Sequence, residues 1–408
     1  MNFEKNKNEN FNRLKQTPYL LSEVFQPQDY TWYGDWEGRA LLAFCCHYEI
    51  DGGVIPCMHD MVASLPQKTN GKGFFGPISN GEKAREQQLS GHNWYLRGLL
   101  KYARLFNSDY AMSLAKSTVE NLYLPIKDFY DKYPLDRGDL SGGVSGNEEC
   151  EKNGWILSTD VGCAFMCVDG LAHYYLVTKD EKVKEFLDKA IDLFLSIDLL
   201  KYKFQTHTSL TCLRGILVLY KATGEQKYLD AVKGKFNFYL ENGMTETYEN
   251  FNWFGREDTW TEPCAVVDSF ILAGELFNVT LSPEYRKLAS RIWLNGLQFC
   301  QRENGGAGPN SCVTKTQPLL KISMYEAPFC CTMRYAEGLA YYSANLGLVE
   351  EGEGVYKEGN KYFCGNSLLV EDLNGNIGGK DYQIDGKKLK KLCDLGFPSQ
   401  SPLLKVIF

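Results

Sequence analysis

One motif returns along this chain and limits the folds open to it: an apolar helix, a short polar turn, then a second, amphipathic helix. Residues 94–106, the turn at Asn107, Ser108 and Asp109, and residues 110–122 form one copy. Residues 168–177 and 182–197 form the next, and 213–221 with 228–240 and 270–277 with 283–299 form two more. In the second helix of the second copy, Val183, Phe186, Leu187, Ala190, Ile191 and Phe194 recur at the three- and four-residue spacing of one buried stripe. Ser282, Pro283 and Glu284 read as a serine cap followed by a first-turn proline. With residues 36–47 before these copies and 332–346 after them, the hairpins number five or six, at an irregular period of roughly 45 to 70 residues. Helical hairpins of this kind bury their stripes by wrapping around a common axis, so the expectation is an all-α (α/α) barrel over residues 31–348, preceded by an N-terminal extension at 1–30.

The texture changes after residue 348. A Glu/Gly run at 350–354 leads into strand-like pieces at 361–364 and 367–370, with a turn at Asn374, Gly375 and Asn376. Residues 349–408 are expected to form a small β-rich tail, either a self-contained appendage or a truncated sandwich, since a complete one needs about 100 residues. A net charge of -7 supplies no electrostatic footprint for nucleic acid or an anionic membrane, and a neutral substrate suits the chain better. There is no apolar core near Met1 to serve as a secretory signal and no uninterrupted 18-residue apolar run. The 14 cysteines are therefore expected as reduced thiols in a cytoplasmic protein rather than as disulfides. Cys163, Cys167 and Cys212 read as core fillers, and Cys45, Cys46 and His47 as one buried helix face. The oligomeric state is left open, with a homo-oligomer among the options.

Against that background two short segments carry chemistry. Glu262 and Cys264 lie two residues apart in Trp260-Thr261-Glu262-Pro263-Cys264, and Cys330 and Cys331 are adjacent, after Tyr325-Glu326-Ala327-Pro328-Phe329. Three thiolates and a carboxylate form a four-ligand set within zinc's repertoire. Residues two apart face different sides of a helix, so Glu262 and Cys264 can converge on one ion only from a loop or a first turn, where Pro263 is tolerated. Cys330 and Cys331 likewise read as the lead-in to a helix whose positive end favours thiolate.

An E-x-C motif answered downstream by C-C on a helical chain resembles glycoside hydrolase family 127, the β-L-arabinofuranosidase family. The segment Ser90-Gly91-His92-Asn93-Trp94, and His207-Thr208-Ser209 followed by a helix pair through Thr223, Gly224 and Tyr228, resemble further parts of it. The resemblance runs from about residue 35 to residue 346 and implies the six-hairpin (α/α)6 barrel, with β-sandwich domains after it in relatives. It implies zinc held by Glu262, Cys264, Cys330 and Cys331, with Cys330 the nucleophile that attacks the anomeric carbon, and retention through two displacements. The family's acid/base glutamate precedes E-x-C in an E-x-F context, which Glu249-Asn250-Phe251 matches. Glu246 fits the spacing better, and Glu257 is a third choice. Sugar contacts are expected from His92, His207 and Tyr325, with Asp160, Trp253 and Trp260 behind them, polar groups over an aromatic floor. Four of these have a plainer reading: helix-end histidines for His92 and His207, a helix cap for Asp160, a core ring for Trp260. The implied function is a zinc-dependent retaining glycosidase releasing β-L-arabinofuranose or a related neutral sugar from an oligosaccharide or glycoside. The rival is a non-catalytic barrel, stapled by zinc, that only binds carbohydrate.

Overall fold

The computed structural model describes residues 3–27, 29–137, 146–314, 316–317, 320–350, 355–358, 361–371, 376–379 and 382–385. Six helices form an inner ring: α2 (Asp35–Asp51), α4 (Glu86–Phe106), α6 (Cys167–Thr178), α8 (Thr206–Thr223), α10 (Pro263–Thr280) and α13 (Cys331–Ala344), each packed on the next and α13 back on α2. Outside them lie α1 (Phe3–Arg13), α3 (Met58–Lys68), α5 (Asp109–Thr118), α7 (Glu181–Ser196), α9 (Gln226–Asn242) and α11 (Pro283–Arg291). The last five each pack on the inner helix that precedes them, and α1 packs on α13. This is the expected (α/α)6 barrel. α7 buries the six apolar residues of its predicted stripe, the signature of an outer helix with one face inward.

Three inner helices begin well before their apolar runs: α4 at Glu86 rather than residue 94, α8 at Thr206 rather than 213, and α10 at Pro263 rather than 270. The first turns of α4 and α8 carry buried polar residues, which hide the helical period, and α10 opens on Pro263. The helix expected at 283–299 is instead α11, a π-helical stretch Ile292–Leu297, and the short α12 (Gln298–Cys300). Ser282 precedes α11 without capping it; its hydroxyl bonds Glu284 instead. α10 is apolar and long enough by composition to cross a membrane, yet 72% of it is buried inside the barrel.

Glycine lets the inner helices approach closely. A Cβ on Gly38 of α2 would collide with the backbone of Trp94 and Tyr95 on α4, and one on Gly215 of α8 would meet the backbone at Asp169 on α6.

A sheet not anticipated from the sequence joins β1 (Ala84–Arg85), β3 (Trp155–Ser158) and β2 (Glu148–Lys152), in that order. It is pinned by the buried carboxylate of Glu86, which accepts from Arg137, Tyr133 and the Ser158 amide. The tail forms a five-stranded antiparallel meander of β4 (Val355–Glu358), β5 (Lys361–Cys364), β6 (Ser367–Glu371), β7 (Asn376–Gly379) and β8 (Tyr382–Asp385). β5 and β6 cover the two strand-like pieces of the sequence; residues 374 and 375 of the expected turn lie outside the described residues. The sheet docks on the barrel through Asn295, which donates to Asn366 O at 2.9 Å and accepts from Leu368 N at 2.5 Å.

Candidate metal centre and active site

The residues expected as metal ligands lie at the N-terminal end of the inner ring. Glu262 precedes Pro263, the first residue of α10, and Cys264 follows it; Cys330 precedes α13 and Cys331 opens it. Both pairs therefore stand at the positive ends of helices, where a thiolate or carboxylate is favoured. The Cys264 and Cys331 sulfurs are 3.7 Å apart and those of Cys330 and Cys331 3.3 Å. All three lie within 4.8 Å of one another, as do ligand atoms of His207, Glu262 and Cys264. Sulfurs held about 2.3 Å from one tetrahedral ion stand about 3.8 Å apart, so the donor set fits zinc. Glu262 Oε2 is buried without a hydrogen-bond partner, which leaves one carboxylate oxygen free to join the sulfurs. No disulfide links the cysteines whose side chains are described. Cys264 and Cys331 are buried, and burial pushes both thiols well above their ordinary range; Cys330 is partly exposed as a residue, and although the Cys264 contact lowers its thiol, Cys331 and burial outweigh it and push it well above its range too.

A second layer holds this set. His207, in the first turn of α8, places Nδ1 2.9 Å from Glu262 Oε1 and Nε2 3.5 Å from Asp268 Oδ2, and its ring stacks on Trp94. Burial opposes ionisation of Glu262, but His207 and Arg39 hold its carboxyl below the usual value. Arg39 donates to Asp35 at 2.8 Å and to the Cys264 sulfur at 3.6 Å. The guanidinium groups of Arg39 and Arg334 both pack on the Trp94 ring. Deeper along the axis, Asp268 accepts from Thr211, Arg214 and Arg334; burial opposes its ionisation, yet Arg334 and Arg214 hold it far below the carboxylate range. Sequence reasoning passed over Arg39, Asp268 and Arg334. Charged residues inside otherwise apolar helical runs were the signal available.

The remaining candidates are spread more widely. Glu249 is fully buried; its Oε1 accepts from Asn310 at 2.8 Å and from Thr261 at 3.2 Å, and its Oε2 accepts from Thr247 at 2.9 Å. Burial raises its carboxyl to about 7 despite these bonds. Glu246 points to the tail, paired with Lys361 at 2.9 Å, and Glu257 is exposed. His92 is buried in α4, with Nε2 accepting from Phe75 N at 3.0 Å and Nδ1 bonded to Gln88 O; burial lowers it to about 4 and so keeps it neutral. Asp160 accepts from Gly146 N and from Gln205 Nε2, both at 3.0 Å, and so ties the loop before α6 to the start of α8. Trp253 is a fully buried ring in edge contact with the partly exposed Trp260, at 5.3 Å. Tyr325 is half exposed and lines, with Asn6 and Arg302, a cavity whose walls include none of the three sulfurs.

No family model matches the chain, and no curated protein matches its sequence. Solved structures share its fold. A glycoside hydrolase family 127 β-L-arabinofuranosidase from Geobacillus stearothermophilus superposes with a TM-score of 0.51 at 11% identity, over 91% of this chain and 64% of that one. An α-1,6-mannanase from a Salegentibacter species gives 0.54 at 14% identity, over 84% and 99%. A cellobiose 2-epimerase from Bacillus thermoamylovorans gives 0.54 at 15% identity, over 84% and 100%. The chain thus spans less than two thirds of the arabinofuranosidase's length, and the shared property is the (α/α)6 barrel.

Proposed function

We propose that this protein is a zinc-dependent retaining glycosidase with Cys330 as nucleophile, acting on β-L-arabinofuranosides or a related neutral sugar. The observation that carries the reading is the cluster of the Cys264, Cys330 and Cys331 sulfurs at two helix starts on one end of the barrel, with Glu262 and His207 beside Cys264. A zinc ion bound there would draw the protons from the thiols and keep the Cys330 sulfur a thiolate at neutral pH. His207 fixes the Glu262 carboxylate, and Arg39 offsets charge at Cys264.

In the first displacement the Cys330 sulfur attacks the anomeric carbon while the glycosidic C–O bond breaks, and a carboxylic acid gives its proton to the departing oxygen. In the second, the same group, now a carboxylate, takes a proton from water as the water oxygen displaces sulfur. Glu249 suits this role, since burial keeps it protonated to about pH 7 and its Thr261 contact sits next to Glu262 in the chain. Glu246 is engaged by Lys361.

The test is protein purified under reducing conditions. It should carry one zinc per chain by elemental analysis and lose it in the Cys264→Ala, Cys331→Ala double variant. Cys330→Ala should lower kcat on an aryl β-L-arabinofuranoside by 10³-fold or more. Zinc with no hydrolysis of any furanoside or pyranoside in a panel would favour the stapled, sugar-binding barrel.

A further inference from the structure

A cavity of about 690 Å³ opens beside the start of α2, between residues 25–37 and 67–77, within the size range of roughly 300–1,000 Å³ typical of small-molecule sites. Its walls include the rings of Phe25, Tyr30, Tyr33 and Phe75, and Glu37 lines it. Glu37 has no part in the sulfur cluster. It is 3% exposed, its Oε1 accepts from Gln26 N at 2.9 Å, and its Oε2 has no partner. A carboxyl group buried this way is left with unused hydrogen-bonding capacity, which native proteins rarely leave without a purpose.

The cavity lies at the same end of the ring as the sulfurs: its lining residues Gly34 and Glu37 flank Asp35, whose carboxylate accepts from Arg39 at 2.8 Å, and Arg39 donates to the Cys264 sulfur at 3.6 Å. Its far wall is rigid. Gln88 donates to Phe75 O at 2.9 Å and to Pro77 O at 3.1 Å, His92 accepts from Phe75 N, and Asn70 donates to Gly76 O at 2.9 Å. Gly76, with φ of 79°, lays its backbone against the Tyr33 ring where a Cβ would collide. The buried polar first turn of α4 thus holds this wall, which gives His92 a positioning role. Burial raises the Glu37 carboxyl to about 7, so near neutrality it can both donate and accept a hydrogen bond. Sugars suit such a surface: their C–H faces pack on aromatic rings and their hydroxyls need a donor and an acceptor.

We propose that this cavity is a subsite for the second sugar unit of a neutral oligosaccharide whose first unit is attacked at Cys330, with Tyr30 and Tyr33 against the ring face and Glu37 bonding its hydroxyls. The proposal rests on the glycosidase reading. Its test compares a disaccharide such as β-L-arabinofuranobiose with the corresponding glycosyl fluoride, which places nothing in the cavity. Glu37→Gln and Tyr33→Ala should each lower the ratio of kcat/KM on the disaccharide to kcat/KM on the fluoride at least tenfold, chiefly through KM. An unchanged ratio in both variants, with the wild type active on both substrates, overturns the subsite and leaves the glycosidase reading intact. If the wild type hydrolyses nothing, the glycosidase reading fails, and titration calorimetry with neutral di- and trisaccharides decides the subsite. Binding that both variants weaken tenfold supports it, and no binding to the wild type overturns it.

Discussion

Glu249 is surrounded by neutral partners, Thr247, Thr261 and Asn310, and has no solvent exposure. Burial therefore outweighs its hydrogen bonds, and the carboxyl holds its proton to about pH 7. In the unfolded chain a glutamate ionises near its ordinary value of about 4.5, so between about pH 4.5 and 7 the native state binds more protons than the unfolded one. Stability contributed at this position then falls as pH rises through that window, by at most on the order of 3 kcal/mol. Glu249→Gln removes the slope. The melting temperature of the variant minus that of the wild type should grow steadily from pH 4.5 to 7, and a flat difference would show that Glu249 ionises normally. If Glu249 is also the acid, wild-type kcat on a disaccharide should decline above about pH 7, and the variant should lose roughly 10²- to 10⁴-fold on that substrate but far less on a glycosyl fluoride. At this scale the sulfur cluster was legible, because Cys264, Cys330 and Cys331 declare themselves by residue type and spacing. His207 was legible as a candidate, but its bond to Glu262 was not, because nothing local in a sequence says that residues 207 and 262 face each other.

The helices meet at glycines, and the barrel's geometry is most sensitive there. Gly38 lies against the α4 backbone at Trp94 and Tyr95, which cannot give way as a flexible side chain could. Gly38→Ala should cost about 3 kcal/mol or more, since overpacking typically costs about 1–3 kcal/mol and here the obstacle is main chain. Gly234, in the middle of α9, has nothing within reach of an added Cβ. Gly234→Ala should stabilise by about 0.4–1 kcal/mol through helix propensity and the unfolded-state entropy it removes. Denaturant midpoints for the two variants should therefore move in opposite directions; a shift of the same sign would mean that α2 and α4 can separate freely. Outer helices such as α7 were readable from a single apolar stripe. The starts of α4 and α8 were not, because residues such as Gln88, His92, His207 and Thr211 are buried for their hydrogen bonds, and periodicity measures only hydrophobicity.

Across the whole molecule the ring closes through chain segments far apart in sequence. Asn10 of α1 donates to Gly305 O at 3.0 Å and to Thr332 O at 3.1 Å, and its Oδ1 is 2.9 Å from His47 Nε2. It ties the first turn of α13, which carries Cys331, to α2 and to the loop before it. Asn10→Ala strands three buried groups, each costing about 1–3 kcal/mol when left unpaired. A loss of several kcal/mol and weaker zinc retention against a chelator are expected; full stability would mean that the α13 start is held elsewhere. The sequence by itself determined that the chain folds as helical hairpins around an axis, that β strands follow, and that Cys264, Cys330 and Cys331 suit a thiolate-rich metal site. Each of those depends on local periodicity or on ligand chemistry. Only the tertiary structure decided that α1 fills the outer position against α13, that Arg39 reaches Cys264 across 225 residues, and that Glu37 lines an aromatic cavity with one carboxylate oxygen unpartnered. Those facts arise from which helix faces meet once the ring has closed, and the desolvation and charge pairing that follow depend on three-dimensional proximity, of which the order of residues carries no direct record.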